Sequence, residues 1–381
     1  MNLLKLAPLL EQFASTQPGG LRVDSTRCLH SWNQANACEQ CVVACPSQAL
    51  TVAPGAVTLD AAACSGCGLC LHLCPTGVFA GEDETAHLLR SVATLRARAA
   101  LDLTCGPFAA TLADPGVDAI VQVQGCLASL GAAAYVGLTA LGIDAIGLRL
   151  EACDACPIGA LRETIAATAA RAAALTHTTI TTRAAAPAAG VRKPLHATHA
   201  PHYSRRALLH RFVGSDREAD LSLPPLDSSP PAGKAPPLER RALLHALAHL
   251  PEERRSAAAY FPTFTTSSAC TACQTCAAVC PTGALSSELT EHAFALHLEP
   301  LACTACGLCV ELCAPAALQP APAVAYIDAQ PITLLEQATR SCKRCRAPFA
   351  GESDLCPACA FRRKHPAGMM SRPRLVGTPQ P

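Results

Sequence analysis

Aromatic side chains are scarce in this chain, with nine Phe, four Tyr and one Trp among 381 residues. Any core must be built from small aliphatic side chains, chiefly Ala, Leu and Val. An excess of one charge is also missing: 30 Lys and Arg face 29 Asp and Glu, for a formal net charge of +1. Bulk charge therefore argues for no particular polyanionic partner. No apolar stretch is both long and uninterrupted enough to span a bilayer. The opening "MNLLKLAPLLEQFAS" is broken by Pro8 and Glu11 and lacks a small-residue cleavage site, so it reads as a short amphipathic helix and not a signal peptide. The expectation is a soluble, cytoplasmic protein. Dinucleotide and phosphate-binding glycine motifs are absent, and no Ser–His–Asp arrangement is legible. The 13 histidines are scattered, and His72, inside a cysteine run, reads as a surface or packing residue. No catalytic residue is expected, and no substrate site is visible.

What the chain has in quantity is cysteine, 24 in all. Nearly every one stands in C-x2-C or C-x3-C-P spacing, which points to metal in a reducing compartment and not to disulfides. "CSGCGLCLHLCP" is a complete C-x2-C-x2-C-x3-C-P run, with Cys64, Cys67, Cys70 and Cys74. "CTACQTCAAVCP" (Cys270, Cys273, Cys276, Cys280) and "CTACGLCVELCAP" (Cys303, Cys306, Cys309, Cys313) form a downstream pair, the last with Ala314 displacing its proline by one. Three cysteines two residues apart curl around one face of an iron–sulfur cubane, and the fourth reaches the neighbouring cluster. Paired runs thus give two clusters with crossed ligands. On this rule Cys270, Cys273, Cys276 and Cys313 serve one cluster, and Cys280, Cys303, Cys306 and Cys309 another.

The first run is incomplete. "CEQCVVACP" supplies Cys38, Cys41 and Cys45, but Ala35 stands where the leading cysteine belongs. Crossing assigns Cys45 to the cluster of Cys64, Cys67 and Cys70, and Cys74 to the cluster of Cys38 and Cys41, which is then one thiolate short. Cys28 is the only cysteine upstream, and the nine-residue polar loop between it and Cys38 closes at little entropic cost. Cys28 is read as the missing ligand; the alternatives are a free buried cysteine or a three-iron cluster with an open corner.

Between paired runs, "ALTVAPGAVTL" and "GALSSELTEHAFALHLE" read as β-hairpins. Together with the runs, residues 28–80 and 270–318 resemble bacterial-type ferredoxins with two 4Fe-4S clusters. The resemblance implies a small α+β fold and one-electron transfer in each module. It covers about a third of the chain and does not identify partners.

The centre is different. Strand-like "ALDLTC", "DAIVQVQGC" and "IDAIGLRLEAC" alternate with helix-like stretches, the pattern of a small parallel α/β sheet. Cys105, Cys126 and Cys153 follow the three strands, with Cys156 one turn on, so four thiolates converge on one sheet edge. Either they hold a fifth metal site, expected as 2Fe-2S, or they are buried structural cysteines. The pattern faintly resembles the iron–sulfur delta subunit of certain methanogen hydrogenases, which implies passage of electrons toward partner enzymes. At the C-terminus, "CKRCRAPFAGESDLCPAC" places Cys342, Cys345, Cys356 and Cys359 as two knuckles of a zinc ribbon, with rubredoxin-like iron as the alternative.

The expected layout is a ferredoxin-like domain over 1–82, an α/β domain over 83–182, a Pro/Ala-rich linker over 183–260, a second ferredoxin-like domain over 261–330, and the knuckle with a basic tail over 331–381. In the linker, "SRRALLHRFV" and "LERRALLHALAHL" share the hexamer RRALLH and read as amphipathic helices. Residues 1–182 carry 9 Lys and Arg against 14 Asp and Glu, whereas 183–260 carry 12 against 7. The helices could lie against the cluster-bearing modules or dock on a partner. The expected function is electron relay between a redox enzyme, such as a formate dehydrogenase, a hydrogenase or another reductase, and an acceptor. The alternative is a redox-sensing or maturation factor that binds a client or nucleic acid through the ribbon and tail; the tail lacks interleaved aromatics, which weakens the nucleic-acid reading.

Overall fold

A computed structural model describes residues 20–53, 55–95, 99–108, 110–187, 189–199 and 233–365. The expected N-terminal helix, the helix at 204–213 and the basic tail beyond residue 365 lie outside the described residues. The chain divides into two compact units. The first runs to Phe261 and includes Thr304–Cys306 and Val324–Asp328; the second holds Pro262–Cys303, Gly307–Ala323 and Ala329 onward. Each is described by itself.

The first unit opens with the small module. Strand β1 (Arg22–Val23) leads to helix α1 (Leu29–Trp32) and helix α2 (Gln40–Ala44). Strands β2 (Leu50–Ala53) and β3 (Ala56–Leu59) form the anticipated antiparallel hairpin, with Val52 opposite Val57. Gly55 sits in its turn with φ 84°, a conformation that glycine adopts without a Cβ penalty. Helix α3 (Leu69–Leu73) follows, and strand β4 (Phe79–Ala80) returns antiparallel to β1. Leu21, Leu50, Val57, Val78 and Phe79 make the core, into which Cys28 and Cys74 are also packed.

Helix α4 (Glu84–Ala93) starts where the Asp83 carboxylate accepts the Ala86 N–H at 3.0 Å. The α/β domain is then built on strands β5 (Ala100–Thr104), β7 (Ala119–Gln122), β8 (Ala145–Arg149), β9 (Thr179–Arg183) and β11 (Leu195–Ala197). All five are parallel, in the order β11-β7-β5-β8-β9. The sequence pattern marked three of them. The two outermost, β9 and β11, carry Thr, His and Arg and leave much of their surface exposed, so they lack the apolar run that betrays a buried parallel strand. Two-residue strands β6 (Leu112–Ala113) and β10 (Val191–Arg192) pair beside the sheet. In its middle, Asp102 is fully buried between Arg149 (Nη1 at 3.3 Å) and Arg183 (Nε at 3.6 Å).

Helix α5 (Ala132–Ala140) is almost wholly buried and packs against α4, helix α6 (Leu161–Leu175) and helix α7 (Leu238–His249). That last helix carries the second RRALLH copy. It buries Leu243, Ala246 and Leu247, and its Glu239 accepts the Ala133 N–H at 2.9 Å, capping α5. Burial holds the Glu239 carboxyl up at about 7. Within the stretch read as linker, residues 233–250 are therefore part of the folded unit. They also hold the small module: Arg27 donates to the carbonyls of Thr76 (2.7 Å) and Ala235 (3.0 Å).

In the second unit, strand β12 (Phe261–Thr266) pairs with β15 (Leu318–Val324), and helices α8 (Thr275–Val279) and α9 (Leu308–Glu311) carry cysteines. The second hairpin, β13 (Leu285–Leu289) and β14 (Ala293–Leu298), is joined by β16 (Ile332–Ala338) into a three-stranded antiparallel sheet. Strand β16 lies beyond residue 330, where the sequence reading ends the module. Its apolar residues are only partly buried, so periodicity does not tie it to the hairpin. Beyond it, β17 (Arg340–Ser341), β18 (Pro348–Phe349) and helix α10 (Pro357–Lys364) form the knuckle. Among the described residues, no helix is long and apolar enough to cross a membrane.

Candidate metal centres

The three complete runs fold alike around their second cysteine. Gly66 (φ 66°) and Gly68 (φ 75°) flank Cys67 in the left-handed region. Ala272 (58°) and Gln274 (61°) flank Cys273, and Ala305 (56°) and Gly307 (78°) flank Cys306 in the same way. Left-handed residues set among right-handed ones turn successive N–H groups to one side, which makes a concavity suited to anionic sulfur. Non-glycine residues bear about 1–2 kcal/mol in this conformation, so Ala272, Gln274 and Ala305 mark loops held against their own preference. A further left-handed residue follows the last cysteine of every run by three positions: Gln48, Gly77, Gly283 and Ala316. The displaced proline at Pro315 leaves that spacing unchanged.

The incomplete run departs from this geometry. Ala37 and Glu39 correspond to Gly66 and Gly68, yet neither has positive φ, and Glu39 lies at −124°. Instead the chain from Cys28 to Cys38 is tied by local bonds. His30 Nε2 meets the Cys38 carbonyl at 2.8 Å, Asn36 Oδ1 accepts the Cys38 N–H at 3.0 Å, and Ser31 Oγ donates to the Cys28 carbonyl at 2.7 Å. These bonds place Cys28, which is buried, beside the incomplete run.

Like-charge coupling among the thiols shows which sets gather. Burial pushes Cys41 up to about 11, and Cys74, Cys38 and Cys28 each add to the rise. Burial also raises Cys28, with Cys74 and Cys38 adding to it. Burial pushes Cys70 up to about 12, with contributions from Cys67, Cys64 and Cys45. In the second unit, burial pushes Cys276 up to about 11, with Cys273, Cys270 and Cys313 adding. Three of these sets follow the crossed rule. Of the fourth, Cys280, Cys303 and Cys309 are buried in one core of the second unit. Among the described residues no disulfide joins any cysteine. Desolvated thiols that disfavour one another's ionised form suit a metal, whose charge reverses that balance.

The knuckle is tighter. The sulfurs of Cys342, Cys345, Cys356 and Cys359 all lie within 4.8 Å of one another, and Cys345 Sγ is 3.7 Å from Cys356 Sγ. Four thiolates at about 2.3 Å around a tetrahedral ion stand about 3.8 Å apart, so the cage fits one ion. Backbone N–H groups of Cys345 and Cys356 hold the Cys342 thiol well below its usual range, whereas burial pushes Cys359 up. Among the described residues, one other group meets the same 4.8 Å limit: Glu82, His87 and His199. Both ring nitrogens of His199 are already turned to carboxylate oxygens, Nδ1 to Glu82 at 3.3 Å and Nε2 to Glu84 at 2.9 Å.

At the sheet edge, Cys105 directly follows β5, Cys126 lies four residues after β7, and Cys153 lies four after β8, with Cys156 in the next turn. Burial raises Cys105, with Cys153 and Cys156 adding; it pushes Cys126 up to about 11, with Cys67, Cys105 and Cys153 adding. The four thiols therefore share one neighbourhood without forming a compact cage. Sequence reasoning missed the left-handed positions, although the repeated x-Gly/Ala-Cys-Gly/Gln pattern carries them. It also missed the contact of the loop carrying Cys126 with the first module, for which no sequence signal exists. His72, read as a packing residue, packs at that contact: its Nε2 meets the Ala128 carbonyl at 2.8 Å, and burial lowers its pKa.

Residues 36–78 match a 4Fe-4S dicluster domain, and residues 264–314 match a second one. No curated protein matches the chain. The protein thus carries two ferredoxin-type, iron–sulfur cluster-binding modules and a parallel five-stranded sheet. The first match begins after Cys28 and so leaves that residue uncovered.

Proposed function

We propose that this protein relays single electrons between a redox enzyme and an acceptor. Four 4Fe-4S clusters would be held by Cys28, Cys38, Cys41 and Cys74; by Cys45, Cys64, Cys67 and Cys70; by Cys270, Cys273, Cys276 and Cys313; and, on the spacing rule, by Cys280, Cys303, Cys306 and Cys309. When bound, such clusters supply one-electron chemistry over a wide range of potentials. The observation that supports the reading is the crossed gathering of thiols in three of these four sets. The chain's own residues exclude water, aim N–H groups at the sulfurs and fix the spacing between sets. Redox enzymes such as formate dehydrogenase, hydrogenase or another reductase are the partners this role needs. In the knuckle, the sulfur spacing supports a single tetrahedral ion, for which zinc is the proposed occupant. The sheet-edge cysteines Cys105, Cys126, Cys153 and Cys156 are a proposed fifth iron–sulfur site.

The test is anaerobic purification with iron, sulfide and zinc counted per chain. The relay requires at least about 16 irons, four for each cluster, together with one zinc. Iron near eight after careful reconstitution would sink it. A redox enzyme recovered in equal amount on copurification supports the partner class, and recovery of nucleic acid in its place counts against it.

A further inference from the structure

The first ferredoxin module and the α/β domain meet along one seam, and the seam runs through two cysteines. On one side stand Gly66, Gly68 and His72, which flank Cys67 in the chain; on the other stand Gln124, Gly125, Ala128 and Ser129, which flank Cys126. A Cβ added at Gly68 would stand 2.7 Å from the Ser129 Cβ, and one added at Gly125 would stand 3.9 Å from the Gly66 carbonyl. His72 reaches the Ala128 carbonyl at 2.8 Å, and Glu84 accepts the Gln124 N–H at 3.2 Å. A cavity of about 240 Å³ is lined jointly by Cys45, Cys64, Cys67 and Cys70 and by Gln124, Gly125 and Ser129. The second ligand set of the module therefore opens onto the loop that carries Cys126.

The far side of that loop faces the other sheet-edge thiols. Its surroundings are cut close: an added Cβ at Gly106 would land on the Gln124 carbonyl oxygen, and one at Gly159 on the Cys153 carbonyl oxygen. Glycine is needed at Gly106 so that the loop after β5 can approach the loop after β7, and at Gly159 so that the segment after β8 can fold back over its own Cys153. The Ala128 N–H donates to Cys126 Sγ at 3.4 Å, as N–H groups do toward cluster-bound sulfur. The Arg162 side chain stands beside Cys153. A cation at that place favours a centre gaining negative charge. The thiols do not close to the spacing of a single ion, as the knuckle does. That leaves a polynuclear centre as the occupant with matching chemistry.

We propose that Cys105, Cys126, Cys153 and Cys156 hold an iron–sulfur centre that exchanges electrons directly with the Cys45, Cys64, Cys67 and Cys70 set, through the seam at Cys67 and Cys126. The inference rests on the relay reading and extends it. The α/β domain becomes the outlet of the first module, with exposed Cys156 on the side where an external acceptor would dock. No atom or proton moves in the exchange: one electron lost by one ligand set's iron is the electron gained by the other's.

The test uses the full chain, reconstituted anaerobically and reduced with dithionite, comparing the parent protein with Cys126→Ser and Cys156→Ser. Cys156 is exposed, so its replacement leaves the core packing alone. The expected results are a loss of about two to four irons per chain in either variant, and loss of the broadening that a neighbouring paramagnet imposes on the ferredoxin-type signals. Parent iron of about 16, unchanged by either substitution, would overturn the sheet-edge centre while leaving the relay standing. Extra iron without magnetic coupling would overturn the seam as the route. Parent iron of about eight or fewer, by contrast, is a failure of the relay reading itself.

Discussion

The two ferredoxin-type modules have the same loops and different supports. In the second, residues 264–314 carry two complete runs, and the hairpin is enlarged by β16 into a three-stranded sheet. Gln337 from that added strand donates to the Cys270 carbonyl at 3.0 Å, and the Ala350 N–H from the knuckle donates to Thr271 at 3.3 Å. In the first, the hairpin stays two-stranded, one run lacks its leading cysteine and its left-handed residues, and support comes from the α/β domain and residues 233–250. What recurs in every complete run is the backbone handedness around the second cysteine. The origin of the remaining thiolate can change if another segment is tied close by.

Iron removal is the broadest way to break this comparison. Metal binding contributes folding free energy in small modules, and these cores contain few rings. Chelation should collapse residues 28–80 and 270–318 while sparing the α/β sheet, whose core of Leu101, Leu103, Ile120, Val121, Ile146 and Leu148 needs no metal. Limited proteolysis of the apo-protein measures it. Because of β16, the second module should be cut more slowly than the first; equal rates would mean that the added strand contributes nothing.

A narrower test replaces one ligand in each module. Cys28→Ser and Cys270→Ser should each remove about one quarter of the 4Fe-4S content, or convert one cluster to a three-iron form on oxidation, since a hydroxyl is a poor substitute for thiolate at soft iron. In Cys28→Ser, the emission of Trp32, the only tryptophan and 42 % exposed, should rise as its neighbouring quencher is lost. Unchanged iron, paramagnetic spectra and fluorescence would show that Cys28 is no ligand.

The knuckle sharpens the contrast further, because only the second module has one. The proposed ligands bind as thiolates, and burial favours the protonated form of Cys359, so proton competition as pH falls should release the ion. A chromophoric chelator should report one metal per chain set free by mild acid. Hydrogen exchange near Thr271 should quicken while the first module stays unchanged; equal quickening in both would disconnect the knuckle from the module.

The smallest effect lies in the left-handed residues themselves. Gly66 and exposed Ala305 occupy equivalent positions at φ 66° and 56°, and an added Cβ at Gly66 meets nothing within 4 Å. Gly66→Ala should cost about 1 kcal/mol, and Ala305→Gly should return about 0.5 kcal/mol after the unfolded-state entropy of glycine is counted. Denaturant titration of the cluster-loaded protein reads both. If Gly66→Ala were neutral, the loop would not be held in this conformation.

Cysteine spacing alone determined the two modules and marked the four clustered thiols at the C-terminus, because two or three residues between thiols leave the chain few ways to curl. Apolar runs likewise marked β5, β7 and β8, which are buried on both faces. Tertiary structure decided the rest. Edge strands β9 and β11 and the added strand β16 are half exposed, so neither composition nor period sets them apart from loops. Cys28 can be named from sequence as the nearest spare thiol, but its approach to Cys38 depends on His30, Asn36 and Ser31 folding the intervening loop. The meeting of the loop at Cys67 with the loop at Cys126 leaves no trace in the sequence at all. It depends on which glycines face which carbonyls across a seam between residues some sixty positions apart, and only the packed chain brings them together.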